Sequence, residues 1–347
     1  MKSSYAPPPG PPPGCPHFVD FPFLSPEQIP TLYSQGYARV HLPVDHPLLV
    51  AATTLFATSR DFFATPLHHK EQFRLPQHPE KKEQSSEEGW LRIEGEKELL
   101  TIRRSGHLCP PEVTDDTRNL WQECGSFMQT MMRAVEQSLG LDSGAFDNVV
   151  KGECALPEQD RHETLLRMFR YERTEAPRLV AAHHRDIGLL SLVIGSSPGL
   201  DVWDDRTKRW VAIEKDGDGI GQNGLTFTFL VGQTLARLTN NRYKSGVHRV
   251  LVPPVDPPSS ADDAKHRYSL VFALRPYKEA IISTSSLTSK VTGDFEHPLE
   301  GVKAQALFSA IANAHWNVNG PVAEREAQRL KLQKLKENQV QGGYHQG

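Results

Sequence analysis

The chain has 347 residues and a formal net charge of −3 at pH 7 with histidine counted as neutral. A chain of that length can bury a sizeable core, in one large domain or two smaller ones. Because there is no basic excess, nucleic-acid binding has no electrostatic support. No apolar run approaches the roughly 20 residues of a membrane-spanning helix, and the first residues do not form a secretory signal. We therefore expect a cytoplasmic protein with neither a nucleic-acid nor a membrane partner.

The N-terminal half combines a leader, helices and one clear strand. Residues 7–14 are all proline or glycine, so we expect residues 1–16 to lack regular structure. Apolar residues at helical spacing predict a helix over residues 48–63, ended by Pro66, and a second over about 115–139, followed by Gly140. The charged run 81–88 predicts an exposed loop, and the alternation over residues 89–93 predicts a strand.

From about residue 163 onward the pattern changes to short alternating runs separated by turn residues. These runs cover residues 165–171, 189–194, 200–203, 210–213, 225–230, 247–252 and 268–274. Many short strands predict a sandwich or a jelly roll. A charged helix is predicted over residues 322–340, where a solvated terminal helix is the first expectation and a lid or a dimer contact are alternatives. The four cysteines form no C-x-x-C pair and are expected to be free thiols.

Three residues of this second half are candidate ligands of one metal ion. His184 and Asp186 are one residue apart, and His248 follows later in the run YKSGVHR. Two imidazoles and a carboxylate occupy one face of a first-row metal ion and leave the other face open. Side chains two residues apart on a strand share a side, so 184 and 186 can both be ligands while His183 and Arg185 face away. The ordered combination, more than any single histidine, predicts the site.

A second pair, Arg267 and Ser269, predicts a site for a carboxylate. A guanidinium can bind a carboxylate through two parallel hydrogen bonds, and a serine hydroxyl on the same strand face can add a third. A buried carboxylate anchor near a redox metal indicates a keto-acid cosubstrate. The sequence therefore predicts a metal centre and a cosubstrate pocket that lie close together.

The residues from about 165 to 276 resemble the isopenicillin N synthase-like branch of the Fe(II)/2-oxoglutarate dioxygenases. The matching words occur in the order of that family: HRDIGLLSL at 184–192, GLDVW at 199–203, WVAI at 210–213, LTNNRYKS at 238–245, HRV at 248–250 and RYSL at 267–270. The N-terminal half is similar more loosely, through residues 61–66 and 95–100. The resemblance implies a mainly β, α+β fold: a double-stranded β-helix, or cupin-like jelly roll, flanked by N-terminal and C-terminal helices.

The same resemblance implies how the chain is organised and what it binds. It divides the sequence into a leader (1–16), an N-terminal helical region (17–150), a jelly-roll core (151–300) and a C-terminal helical segment (301–347). Fe(II) would be held by the three ligands, with 2-oxoglutarate as cosubstrate and O2 as oxidant. Arg267 and Ser269 would bind the distal carboxylate of 2-oxoglutarate. Tyr171 matches the tyrosine of an Asn-x-Tyr motif, although Phe169 replaces the asparagine.

The substrate is predicted only as a class. In the resembled family the region around residue 90 borders the substrate pocket, so four residues are candidate substrate contacts: Trp90, Arg92, Arg104 and Phe272. With Arg103 nearby, these arginines indicate a small or medium metabolite that carries an acid group. The breadth of the family suggests specialised metabolism of an amino acid or peptide-derived compound, by hydroxylation, desaturation or oxidative cyclisation.

Three other functions stay open at this point. The first is an oxidase in the manner of isopenicillin N synthase or aminocyclopropane-carboxylate oxidase, which needs no 2-oxoglutarate and uses the same ligands and the same Arg-x-Ser pair. The second is a non-catalytic binding protein of the same fold, which would not need a complete set of ligands. The third is a zinc hydrolase, which would leave the carboxylate anchor unexplained. The oligomeric state is not predicted.

Overall fold

The computed structural model describes residues 14–76, 87–215, 224–255, 262–314, 318–320 and 323–331. The proline-rich run at 7–13 lies outside these residues, as do residues 322 and 332–340 of the predicted C-terminal helix, whereas residues 323–331 of that prediction are helical. Within them, no helix has the length and apolar character that crossing a membrane would require. The helices are α1 (Gln28–Gln35), α2 (Pro47–Ala64), α3 (Leu67–Lys70), α4 (Pro111–Ser138), α5 (Asp147–Val150), α6 (Gln233–Leu238), α7 (Asp262–Lys265) and α8 (Ala304–Asn313).

The two long helices confirm the predictions from apolar spacing. Helix α2 begins at Pro47, whose fixed φ suits the first helical position, and the His46 side chain accepts a hydrogen bond from the Leu48 backbone N–H at 3.2 Å. Helix α4 begins at Pro111, four residues before the predicted start, and a positive φ at Gly140 follows its end. Proline at the start and glycine after the end are thus the local signals that bound α4.

Thirteen strands are present in the described residues. They are β1 (Tyr37–Val40), β2 (Gly89–Ile93), β3 (Lys97–Ile102), β4 (Leu165–Glu172), β5 (Arg178–His184), β6 (Leu190–Gly195), β7 (Leu200–Asp204), β8 (Arg209–Ala212), β9 (Thr226–Val231), β10 (His248–Val252), β11 (His266–Leu274), β12 (Ile281–Ile282) and β13 (Val302–Lys303). All seven strands predicted after residue 163 are found, with ends shifted by at most two residues. The pattern did not predict β1, β3, β5, β12 or β13.

Two antiparallel sheets form the core of the fold. The larger has the order β1-β9-β6-β11-β4-β3-β2, and the smaller has the order β5-β10-β7-β8. Their facing sides pack apolar residues against each other, in one cluster around Val193, Leu200 and Val202 and in another around Phe169 and Val180. This arrangement confirms the predicted jelly roll. Three strands of the large sheet, β1 to β3, come from the N-terminal region.

The outer face of the large sheet is covered by α2 and α4. Trp121 of α4 packs edge-on against Phe272 of β11, with ring centroids 5.2 Å apart. Along β11, the even-numbered residues Tyr268, Leu270, Phe272 and Leu274 belong to this outer core. The odd-numbered residues Arg267 and Ser269 therefore lie on the inner face, toward the small sheet.

Candidate active site

The pairing of β5 with β10 positions two of the three predicted metal ligands. His184 is the last residue of β5, His248 is the first residue of β10, and the two stand opposite each other in the antiparallel ladder. Their ring centroids are 4.2 Å apart. Asp186 lies just beyond the strand. Its backbone carbonyl accepts a hydrogen bond from the Gln233 N–H at 2.8 Å. The expectation that 184 and 186 share one strand is therefore wrong in detail, because the strand ends at His184.

The donor atoms of the three side chains converge on one point. Asp186 Oδ1 lies 3.9 Å from His184 Nε2 and 3.7 Å from His248 Nε2. Each histidine turns its Nδ1 toward a backbone carbonyl, that of Ala182 at 2.8 Å and that of Gly246 at 3.3 Å. A hydrogen bond at Nδ1 places the proton there and leaves the Nε2 lone pair for a metal.

The protonation states suit metal binding. Burial, with the charge of His248, lowers the pKa of His184 to about 3, so this imidazole is neutral at pH 7. For Asp186, burial raises the pKa, but the neighbouring histidines and a hydrogen bond with Ser191 outweigh it and leave the pKa lowered. The neutral imidazole of His184, the ionised carboxylate of Asp186 and the imidazole of His248 have donor atoms within 4.8 Å of one another, a set that fits a divalent first-row metal ion.

The residues between and before these ligands face elsewhere, as the alternation predicted. The His183 side chain is exposed and its ring lies 6.5 Å from the Trp210 ring. The Arg185 guanidinium donates to the Ser245 carbonyl at 3.3 Å. Neither residue competes with the three ligands for a metal.

The three residues predicted to hold the cosubstrate lie together on the inner face. Tyr171 of β4 is directly opposite Arg267 of β11, and the guanidinium carbon is 5.5 Å from the centre of the tyrosine ring. Burial raises the pKa of Tyr171 to about 12, against the opposing effects of the Arg267 charge and a hydrogen bond with Ser269. The tyrosine hydroxyl therefore keeps its proton and can donate it to a carboxylate. Nη1 of Arg267 is buried without a hydrogen-bond partner among the described residues.

The sequence analysis missed a carboxylate beside this arginine. Glu214 is buried and its oxygens accept from Nη2 of Arg267 at 2.8 and 3.1 Å. The turn after β8 carries Glu214, and β11 carries its partner, so only the packing of the two sheets brings them together. The WVAI word in front of Glu214 located the strand but gave no signal of the contact.

The predicted substrate contacts lie away from the three metal ligands. Trp90 is buried in the outer core, and its indole N–H donates to Glu98 at 3.1 Å. Phe272 is in the same outer core against Trp121. Arg92 also lies on the outer side of its strand, where it pairs with Glu94 at 3.0 Å.

Arg104 lies just beyond the end of β3. Its guanidinium donates to Glu88 and to the Gln159 carbonyl, both at 2.9 Å. Glu88 is itself buried, so the exposed loop predicted over residues 81–88 is wrong at its C-terminal end. Residues 81–86 lie outside the described residues.

Three other arginines converge on Glu87, near Asp186. The Glu87 carboxylate lies 2.7 Å from Arg275, 3.5 Å from Arg103 and 3.8 Å from Arg167. Burial raises the pKa of Glu87, but the charges of Arg275 and Arg167 outweigh it and hold the pKa well below its usual range. Arg275 also lies near enough to Asp186 to lower the pKa of that ligand. Arg103, Arg167 and Arg275, called the basic wall below, thus adjoin the candidate metal site.

Comparison with known proteins identifies the family of this arrangement. Residues 162–276 match the model of the 2OG-Fe(II) oxygenase superfamily, and the matched segment contains the three candidate ligands and the Arg267 and Ser269 pair. The central segment of the chain, residues 162–276, is thus similar to the 2OG-Fe(II) oxygenase superfamily. This superfamily uses Fe(II), 2-oxoglutarate and O2.

The individual relatives are distant. The 2-oxoglutarate-dependent dioxygenase htyE of Aspergillus rugulosus is 26% identical over 171 residues, which is 47% of this chain and 47% of that protein. The proline hydroxylase buaE of Petromyces alliaceus is 24% identical over 282 residues, 72% of this chain and 81% of that protein. Matches to htyE and to the oxidoreductase vrtI of Penicillium aethiopicum cover less than half of those relatives.

A solved structure gives the wider likeness in fold. A 2OG-Fe(II) oxygenase family protein from Caulobacter crescentus superposes with a TM-score of 0.58 at 20% identity, covering 81% of this chain and 90% of that one. The shared fold confirms the expected double-stranded β-helix.

Proposed function

We propose that this protein is an Fe(II)- and 2-oxoglutarate-dependent oxygenase of a small organic molecule. The observation that carries the proposal is the placement of two sites in one barrel: three converging metal ligands, and a buried carboxylate anchor on the inner face of the large sheet. The unpartnered Nη1 of Arg267, beside Ser269 and Tyr171, fits a carboxylate that approaches from the interior. The match of residues 162–276 to the superfamily supports the same activity.

Each side chain has a defined task in this reaction. Bound Fe(II) would supply the chemistry that couples decarboxylation of 2-oxoglutarate, to succinate and CO2, with oxidation of a substrate C–H bond. His184, Asp186 and His248 hold the ion, and the two backbone carbonyls orient the imidazoles. Arg267, Ser269 and Tyr171 bind the distal carboxylate and so orient the keto acid. The apolar residues between the sheets exclude water from the reacting atoms.

Anaerobic titration tests this proposal. We expect the wild-type protein with Fe(II) to develop the visible charge-transfer band of a chelated keto acid when 2-oxoglutarate is added. Asp186→Ala and Arg267→Ala should lose the band, while His183→Ala, which removes the neighbouring exposed imidazole, should keep it. Folded, iron-loaded wild-type protein that shows no band would contradict 2-oxoglutarate dependence.

We also propose that the substrate carries an acid group, bound by the basic wall near Asp186. Arg103, Arg167 and Arg275 share Glu87, and Arg103 has a second partner in Glu163 at 2.9 Å. The cluster therefore brings three guanidinium groups together beside the carboxylates of Glu87 and Glu163. Arg167 is on the inner face with Phe169 and Tyr171, so an acid held there would lie between the sheets. This placement replaces the anion site expected at Arg92 and Arg104.

A substrate screen tests this assignment. Amino acids and other small carboxylic acids would be screened by the succinate that they release from 2-oxoglutarate with the wild-type enzyme. Arg167→Gln should raise KM for an active acid, with an unchanged affinity for 2-oxoglutarate. Arg92→Gln, on the outer face, is the matched control and should leave KM unchanged. If Arg167→Gln also leaves KM unchanged, the anion site is not at this wall.

The oxidase that needs no 2-oxoglutarate is the second candidate. The pairing of Arg267 with Glu214 favours it. An arginine already paired with Glu214 has less to offer a dicarboxylate cosubstrate. Release of succinate in proportion to oxidised substrate would exclude this candidate.

We further propose specialised metabolism and an amino-acid-derived substrate, which the proline hydroxylase among the relatives supports. Cytoplasmic location stays a prediction.

A further inference from the structure

Four hydrogen bonds hold the Glu214 carboxylate in place. Oε2 accepts from the Leu200 backbone N–H at 2.7 Å and from Arg267 Nη2 at 2.8 Å. Oε1 accepts from the Thr226 hydroxyl at 3.3 Å and from the same Nη2 at 3.1 Å. The Glu214 side chain has no exposed surface and that of Arg267 has 1%. A buried pair with this many hydrogen bonds has a single geometry.

Two glycines make the space that this pair occupies. A Cβ at Gly195 would overlap the Glu214 carboxylate, and a Cβ at Gly199 would overlap the Arg267 guanidinium. Gly195 ends β6 and Gly199 precedes β7, so each lies where the chain leaves or enters a strand. Any larger residue at either position would force the pair apart.

The pair determines which part of Arg267 remains for a ligand. Nε donates to the Ser197 carbonyl at 3.0 Å, and Nη2 is taken by Glu214. Only Nη1 is left unpartnered, in the part of the chain that the structure describes. The guanidinium therefore cannot offer both nitrogens of one edge to an incoming carboxylate, as an unshared arginine can.

We propose that Glu214 is a positioning residue that sets the affinity for the keto acid. It holds the guanidinium so that the distal carboxylate of the cosubstrate meets Nη1, Ser269 and Tyr171, and it shares the arginine's charge with that carboxylate. This inference rests on the proposed 2-oxoglutarate dependence. A dicarboxylate then adds a second negative charge to one cation, and the two carboxylates repel each other in a site of low dielectric constant.

As a consequence, the contact between Arg267 and the distal carboxylate of 2-oxoglutarate should contribute little to the binding free energy. Removing the charge of Glu214 without changing its shape should lower the Kd for 2-oxoglutarate, by about tenfold, because the repulsion is removed. A role for Glu214 in folding alone predicts the opposite, since loss of an acceptor would loosen Arg267. The direction of the change in Kd therefore separates the two roles.

Calorimetric titrations of the full chain, anaerobic and loaded with Fe(II), test the inference without turnover. The two probes are 2-oxoglutarate and 2-oxopentanoate, which has the same length and a methyl group in place of the distal carboxylate. The variant is Glu214→Gln. The matched control is Asp201→Asn, which removes the charge from another Arg–carboxylate pair, with Arg249 at 2.8 Å, in the small sheet.

We expect Glu214→Gln to bind 2-oxoglutarate about tenfold more tightly and 2-oxopentanoate as wild type does, and Asp201→Asn to change neither. Unchanged or weaker binding of 2-oxoglutarate by folded Glu214→Gln would overturn the inference. Wild-type protein that binds neither keto acid would instead refute the proposed function.

A second measurement needs no variant and covers the case in which Glu214→Gln does not fold. In wild type, the ratio of the two Kd values reports what the distal carboxylate contributes. A shared arginine predicts a ratio below ~1,000, because a site that pairs a polar group fully rejects the analogue lacking it by about 10,000-fold or more. A larger ratio would overturn the inference.

Discussion

Replacing Glu98 with alanine should destabilise the protein strongly, although Glu98 is remote from the metal ligands. Its carboxylate lies on the outer face of β3, where it accepts from Lys70 Nζ at 2.8 Å, Arg170 Nη2 at 2.6 Å and the Trp90 indole N–H at 3.1 Å. The Glu98 and Lys70 side chains are 4% and 6% exposed. Removing the carboxylate leaves two poorly solvated cations without their anion.

The size of the effect follows from that burial. Breaking a buried ion pair by removing one partner costs about 3–5 kcal/mol. An unfolding entropy of about 2.1 cal/mol/K per residue converts this cost to a loss of roughly 4–7 °C in Tm for a chain of this size. Burial raises the pKa of Glu98, but the hydrogen bond from Lys70 and the charge of Arg170 outweigh it and leave the pKa lowered. The stabilisation is therefore complete at neutral pH and is lost as the pH falls through the lowered pKa.

Thermal melts of wild type and Glu98→Ala, followed by far-UV circular dichroism at several pH values, measure this difference. Glu94→Ala is the control in the same hairpin, because Glu94 is 83% exposed and its pair with Arg92 should contribute little. Equal Tm values for the two variants at pH 7 would refute the reasoning. So would a difference that grows as the pH is lowered.

Three further substitutions test the site and its supports. Asp186→Asn should weaken Mn(II) binding, measured by calorimetry, on the order of 100-fold, because a neutral amide replaces the anionic ligand. Tyr171→Phe should weaken 2-oxoglutarate binding about 2–10-fold, and because burial raises the pKa of Tyr171 to about 12, this effect should be the same at pH 7 and pH 9. Gly125→Ala should lower stability in urea melts by about 1–3 kcal/mol, because its Cβ would overlap the Cys154 carbonyl, a backbone atom that cannot rotate away.

The sequence predicted the three candidate metal ligands from local signals. One-residue spacing brought His184 and Asp186 together, and the β alternation turned His183 away from them. The same alternation placed Arg267 and Ser269 on one face. It also implies that Phe272, three residues after Ser269, faces the other way, so its place in the outer core could have been predicted from alternation alone.

Arg167 shows the reverse case. It has the same parity as Phe169 and Tyr171 on β4, so its inner position was available from alternation alone. Its partner Glu87 was not, because Glu87 lies within the charged run 81–88, which by composition predicts an exposed loop. Composition describes the average state of a segment, and at Glu88, whose side chain is 3% exposed, an ion pair with Arg104 overrides it.

The C-terminal helix illustrates the same limit. A charged helix predicts a solvated surface, yet the Arg325 guanidinium donates to the Glu96 carboxylate at 2.6 Å. The other oxygen of that carboxylate lies 3.3 Å from the ammonium nitrogen of the fully buried Lys97. Burial lowers the pKa of Lys97 to about 8, and its ammonium also donates to the Val318 carbonyl. Charges of the C-terminal segment thus complete a cluster that begins on β3.

Buried charge explains why the sequence located Arg267 but missed Glu214, the carboxylate that pairs with it. A cation on the inner face of a barrel is stable only with an anion or carbonyl groups around it. Sequence alternation finds the cation, but its partner comes from whichever distant turn packs against it, as Glu214 does for Arg267. A carboxylate ligand must compete with that partner or share the cation. We therefore expect the affinity of this site for a carboxylate to depend on Glu214 as well as on Arg267.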